Sequence, residues 1–145
     1  MVAMAQTYSK SREYPAMERG LGNSDSEFGD QQNEPVIDLV HLSRQTLSDQ
    51  ALEVELLDLF ERQSARIIAQ LRQVGCGDAK ICGDLAHMLR GSALAVGAGR
   101  VARMAQIYET RCAAAAHGPA ADAALEALAG AVAEARATIA QLLGQ

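Results

Sequence analysis

The chain has 145 residues, which suits one domain. Its formal net charge of −5 argues against a nucleic-acid binder. No apolar run approaches the roughly 20 residues needed to span a bilayer, so a membrane is not an expected partner either.

Hydrophobic residues make up 49% of the chain, but aromatics only 3%, and tryptophan is absent. A core must therefore come from Leu, Val, Ile, Met and Ala, which suits packed helices. The start of the chain lacks a charged segment followed by an apolar block, so the expected compartment is the cytoplasm. Cys76, Cys82 and Cys112 are an odd number without tight spacing, and read as free thiols in reducing surroundings.

Residues 1–34 carry Pro15, Gly20, Gly22, Gly29 and mixed charges without a helical or alternating pattern. Such a segment cannot bury much apolar surface, so a disordered arm is expected there, with an ordered domain over 35–145. Deleting residues 1–33 should accordingly leave the melting temperature unchanged; a drop of several degrees would show that the arm packs on the domain.

The ordered part opens with a short helix over Val36 to Leu47, with Pro35 in its first turn. Ser48 or Asp49 can cap a longer second helix. Its apolar stripe is Leu52, Leu56, Leu59, Phe60, Ile67, Leu71 and Val74, and Gly75 and Gly77 end it. Asp78 can cap a third helix whose apolar face is Ile81, Leu85, Leu89, Ser92 and Val96, before Gly97 and Gly99 break the chain. A fourth helix buries Val101, Met104, Tyr108 and Cys112, and His117-Gly118-Pro119 stops it. The fifth carries Leu125, Leu128, Val132, Ala135, Ile139 and Leu142 at alternating three- and four-residue spacing, the narrow seam of a bundle helix. Long helices joined by short loops, with no strand pattern competing, predict an all-α fold: an antiparallel four-helix bundle with a short additional N-terminal helix.

One stretch of the third helix is unusual. With 3.6 residues per turn, His87 points almost opposite the apolar face. Gly83 and Gly91 lie one turn to either side, and Arg90 follows at i+3. A helical glycine costs about 1 kcal/mol relative to alanine, yet here two flank one histidine. The arrangement leaves an imidazole clear of its neighbours with a cation beside it, which is what a large charged partner group needs to reach the ring. A solvent-exposed imidazole is largely neutral near pH 7, and one ring nitrogen is then a nucleophile. Leu94 projects on the same face and is a candidate docking contact. Between Lys80 and Arg111 the cations are Lys80, Arg90, Arg100, Arg103 and Arg111, against Asp84 and Glu109; five minus two gives +3, a locally basic face able to steer an acidic partner.

Other chemistries find little footing. His41, His87, His117, Cys76 and Cys82 include no Cys-x-x-Cys or His-x-x-x-His spacing, so no metal is expected. A Gly-rich phosphate loop and a Gly-x-Ser-x-Gly elbow are both missing, so neither a bound cofactor nor autokinase activity is expected.

Ala86-His87-Met88-Leu89-Arg90-Gly91-Ser92, followed by Gly97 and by Tyr108-Glu109, resembles the signature of histidine-containing phosphotransfer (HPt) domains of bacterial two-component phosphorelays. That signature is roughly Ala-His-x-Leu-Lys-Gly-Ser, then a glycine ten residues after the histidine and a Leu-Glu or similar pair near twenty-two after it. The match runs without gaps from Asp84 to Glu109, and Arg90 replaces the usual lysine, which keeps the charge but exchanges a point charge for a fork of donors.

The resemblance implies a phosphocarrier rather than an enzyme. His87 would accept a phosphoryl group from a receiver-domain aspartate and pass it to another, and Arg90 would offset phosphoryl charge. Gly91 would give clearance for the partner, and Gly83, Asp84 and Leu94 would lie in its contact surface. Glu109 would orient His87, at a position where some members carry a glutamine. The implied partners are response-regulator receiver domains and a hybrid sensor kinase. The Mg2+ would come with the receiver, and the protein would act as a monomer. The rival reading keeps the same fold as a helical adaptor that binds signalling partners without carrying phosphate. A third, a homodimeric helical scaffold, draws on the narrow seam of the last helix.

Overall fold

In a computed structural model, the described residues are 34–74, 78–115 and 118–144. Cys76 and His117, the predicted break residues Gly75 and Gly77, and residues 1–33 of the N-terminal arm lie outside the described residues. Five helices make up the described part: α1 (Leu39–Thr46), α2 (Gln50–Val74), α3 (Ala79–Val96), α4 (Gly99–Ala115) and α5 (Pro119–Leu142). The four long helices form an antiparallel bundle. Around it α2 packs on α3, α3 on α4, α4 on α5 and α5 back on α2, while α1 lies against α2 and α3. Residues 35–145 are one compact unit.

Local chemistry explains the helix starts. Asp49 Oδ1 accepts from the Leu52 amide at 3.1 Å, and Asp78 Oδ1 accepts from the Lys80 and Ile81 amides at 3.1 Å each. Pro119 occupies the first turn of α5, where its missing N–H costs nothing. The first helix is shorter than the sequence predicts. It begins at Leu39 because Asp38, extended at φ −85° and ψ 95°, caps it by accepting from the His41 amide at 3.1 Å. The preceding Val36-Ile37 run is a bend that plugs buried Ile37 into the core.

The buried faces keep most of the predicted stripes, among them Phe60, Ile67, Leu71, Leu89, Val96, Val101, Tyr108 and Cys112, with Leu56, Val74, Leu85 and Met104 packed partly buried against the core, and correct them at particular positions. In α2 the inward set is Leu57, Phe60, Ser64, Ile67 and Leu71, while Leu52 and Leu59 face solvent. In α3 it is Cys82, Ala86, Leu89, Ala93 and Val96; Ile81 is exposed, and Leu85 and Ser92 sit at the boundary. Small residues line the centre of α3 because its backbone packs closely on its neighbours, and the larger Ile81 and Leu85 flank that seam. In α4, Ala105 rather than Met104 is fully buried, between Val101 and Tyr108. Gly99 belongs to the first turn of α4 rather than to the break. The α5 seam is buried as predicted except at Leu142, near the open end of the helix.

Gly97 makes the break between α3 and α4. Its φ of +81° is left-handed, and it closes α3 with its N–H directed at Leu94 O. A Cβ added there would meet the Asp38 carbonyl oxygen at 2.7 Å. The Asp38 amide also donates to Gly97 O at 2.9 Å, so α1 is tied to this turn. Gly97→Ala should therefore destabilise the bundle by about 1–3 kcal/mol through strain at φ > 0 and the clash. Thermal unfolding should show a drop of several degrees; an unchanged melting temperature would contradict this packing.

Candidate functional site

His87 stands at mid-length on α3, on the side away from Leu89 and Ala86, which are fully buried. Its side chain is 68% exposed. The neighbouring element that reaches it is α4. There Tyr108 is completely buried, which fixes the rotation of α4 and turns the next residue, Glu109, to the groove beside α3. Glu109 Oε2 lies 3.3 Å from His87 Nδ1, with the Glu109 side chain 33% exposed. The Tyr108 hydroxyl is buried and faces the buried Cys82 and Cys112 thiols. Burial first, and then the two thiols, hold the phenol far above its usual range, so it stays neutral.

The space around the ring is open. A Cβ on Gly83 or on Gly91 would meet nothing within 4 Å. Neither glycine is needed for close helix packing, and both sit in right-handed helix, where glycine has no conformational advantage. The Arg90 side chain, at i+3, makes no hydrogen bond or ion pair among the described residues, and the residue is half-buried. Leu94, two turns from His87, is exposed. Asp84 is held by Lys80, whose Nζ is 2.9 Å from Asp84 Oδ2, and that hydrogen bond raises the Lys80 ammonium above its usual value.

The basic face is less free than its composition suggests. Lys80 pairs with Asp84, Arg100 pairs with Glu134 at 3.1 Å, and Arg111 points to the Ala120 carbonyl at 3.5 Å. These cations already have partners, whereas the Arg90 side chain is left available beside His87.

Two supports for the site are invisible in sequence patterning. Ser92, read as an apolar-face packing residue, donates its hydroxyl to Gln63 Oε1 at 2.9 Å, tying α3 to α2 one turn beyond His87. His41, a weak candidate metal ligand, places Nε2 2.8 Å from the Leu94 carbonyl oxygen, so α1 is joined to the C-terminal turn of α3. Among the described residues no group of three or more His, Cys, Asp or Glu side chains is placed to hold a metal ion. No helix among them is long and apolar enough to cross a membrane.

The sequence model of the Hpt domain matches residues 55–138, from the first turns of α2 to the last turns of α5. The chain belongs to the Hpt domain family. That membership gives it a phosphotransfer role in two-component signalling, as a phosphocarrier of the kind that works with receiver domains and kinases. No curated protein and no solved structure matches the chain.

Proposed function

We propose that this Hpt protein shuttles a phosphoryl group between receiver-domain aspartates through His87. The observation that carries the reading is the exposed His87 ring, flanked by two glycines with empty space above them and contacted at Nδ1 by a carboxylate. A carboxylate accepts hydrogen bonds only, so Glu109 favours the tautomer with its proton on Nδ1. The lone pair is then on Nε2, at the solvent side of the ring.

In the charging step that lone pair attacks the phosphorus of an aspartyl phosphate on the receiver. The Nε2–P bond forms, the P–O bond to the aspartate breaks, and the carboxylate leaves with the electron pair. In the onward step an aspartate oxygen of a second receiver attacks, the P–Nε2 bond breaks, and its electrons return to Nε2. The transition state is loose, so positioning and charge stabilisation supply most of the catalysis. Arg90 lies on the ring's side of α3 with its guanidinium uncommitted and offsets phosphoryl charge. Gly91 and Gly83 give the receiver its clearance, and Asp84 and Leu94 belong to the contact surface. The receiver brings the Mg2+; the carrier holds no metal, cofactor or nucleotide of its own and does not phosphorylate itself. The working form is a monomer in the cytoplasm, charged from a hybrid sensor kinase through its receiver.

Incubation with a phosphorylated receiver domain tests the reading. Label that is stable in base and labile in acid identifies phosphohistidine. Binding of the receiver without label transfer would instead support a non-phosphorylated adaptor.

A further inference from the structure

The charge on Glu109 has a second consequence, which rests on His87 being the phosphoryl acceptor. Once Nε2 carries the phosphoryl group, the ring can leave in two ways. If Nδ1 is unprotonated, breaking the P–N bond expels an imidazolate, a poor leaving group. If Nδ1 keeps its proton, the phosphorylated ring is an imidazolium, and the same bond breaks to release neutral imidazole. The proton stays on Nδ1 throughout, and the electron pair of the P–N bond returns to Nε2. The state of Nδ1 therefore governs how readily the phosphoryl group departs.

Glu109 Oε2 sits 3.3 Å from that nitrogen. A carboxylate there stabilises a positive ring over a neutral one. The phosphoryl group lies on the far side of the ring, so the attraction to the ring proton acts over the shorter distance and outweighs repulsion from the phosphoryl oxygens. We infer that Glu109 is a positioning residue that holds phosphorylated His87 in its protonated, transfer-ready form, making the protein a rapidly discharging carrier rather than a long-lived phosphate store. An amide in the same place offers an acceptor oxygen and can orient the ring equally well, but lacks the charge. Orientation and discharge are thus separable by a single substitution.

The test compares wild type and Glu109→Gln, both charged with phosphoramidate as a small-molecule donor and then freed of it. Three readings are taken: the location of the label, the half-life of the phosphohistidine in neutral buffer, and the 15N shifts of the His87 ring before and after charging. The pair is partly exposed, so the expected effect is modest: a half-life roughly two- to fivefold longer in Glu109→Gln, as for a solvent-accessible ion pair. The uncharged ring should keep its Nδ1–H tautomer in both proteins, and the charged ring should be protonated at Nδ1 to a smaller extent in the variant. An unchanged or shorter half-life, with the label still on His87, overturns the discharge role alone. A tautomer reversed in uncharged Glu109→Gln also overturns it, since Glu109 would then act by orientation. Label on a residue other than His87 overturns this inference together with the proposed function.

Discussion

His87→Gln should abolish phosphoryl acceptance and leave the fold intact. Glutamine has no nucleophilic ring nitrogen, and no described neighbour offers one: Glu109 is a carboxylate and Arg90 a guanidinium. Transfer from a phosphorylated receiver should fall to background. The stability cost is small, because the side chain is 68% exposed and the carboxylate it meets, on Glu109, is only partly buried. Surface substitutions of this kind stay within about 0.5 kcal/mol, and an exposed ion pair adds at most about 1 kcal/mol. Circular dichroism and a melting curve beside the transfer assay separate the two effects. Loss of helical content along with loss of label would place His87 in a structural role.

Gly91→Gln should slow transfer strongly while making the bundle slightly more stable. A side chain at this site meets empty space, since no atom lies within 4 Å of where its Cβ would stand. Replacing a helical glycine there should stabilise by a few tenths to about 1 kcal/mol. The functional cost arises only when a receiver must bring its phosphorylated aspartate to the ring. A long side chain one turn from His87 holds that surface away, and near-attack geometry tolerates little displacement. Gly83→Ala should show a weaker version, because a methyl group obstructs less. Single-turnover transfer and melting temperature are the two readings. Undiminished transfer by Gly91→Gln would sink the clearance argument even with His87 established as acceptor.

The architecture was legible wherever a local rule acts. Asp49 and Asp78 are caps in sequence and caps in the structure. The α5 seam from Leu125 to Ile139 is buried as its spacing requires. What misled was residue size. In α3 the inward positions include Cys82, Ala86 and Ala93, while Ile81 points outward. Hydrophobic periodicity weights the larger side chains, but close helix packing selects the smaller ones. The first helix misled for another reason: Pro35 suggested a start, yet the helix begins three residues later, where the Asp38 side chain satisfies the His41 amide.

The candidate site was only partly legible. The exposure of His87 and the openness at Gly83 and Gly91 follow from helical geometry within one element. The Glu109 contact could be reached only through the family resemblance, since it joins two helices whose relative rotation is set by Tyr108 in the core. The Ser92–Gln63 and His41–Leu94 links span 29 and 53 residues, and no short-range pattern encodes them. The excess of basic residues from Lys80 to Arg111 also looked more available than it is, because charge counts do not reveal which cations are already paired.

The central claim is that a phosphoryl group resides on His87. The most direct measurement charges the full chain from a phosphorylated receiver domain, quenches in base, digests without acid and locates the added phosphoryl mass by sequencing the peptides. The account predicts one phosphoryl group per chain, on the peptide containing His87, lost on brief acid treatment and absent from His87→Gln. Phosphate on His41 or His117, or an acid-stable modification of a serine or threonine, would contradict it.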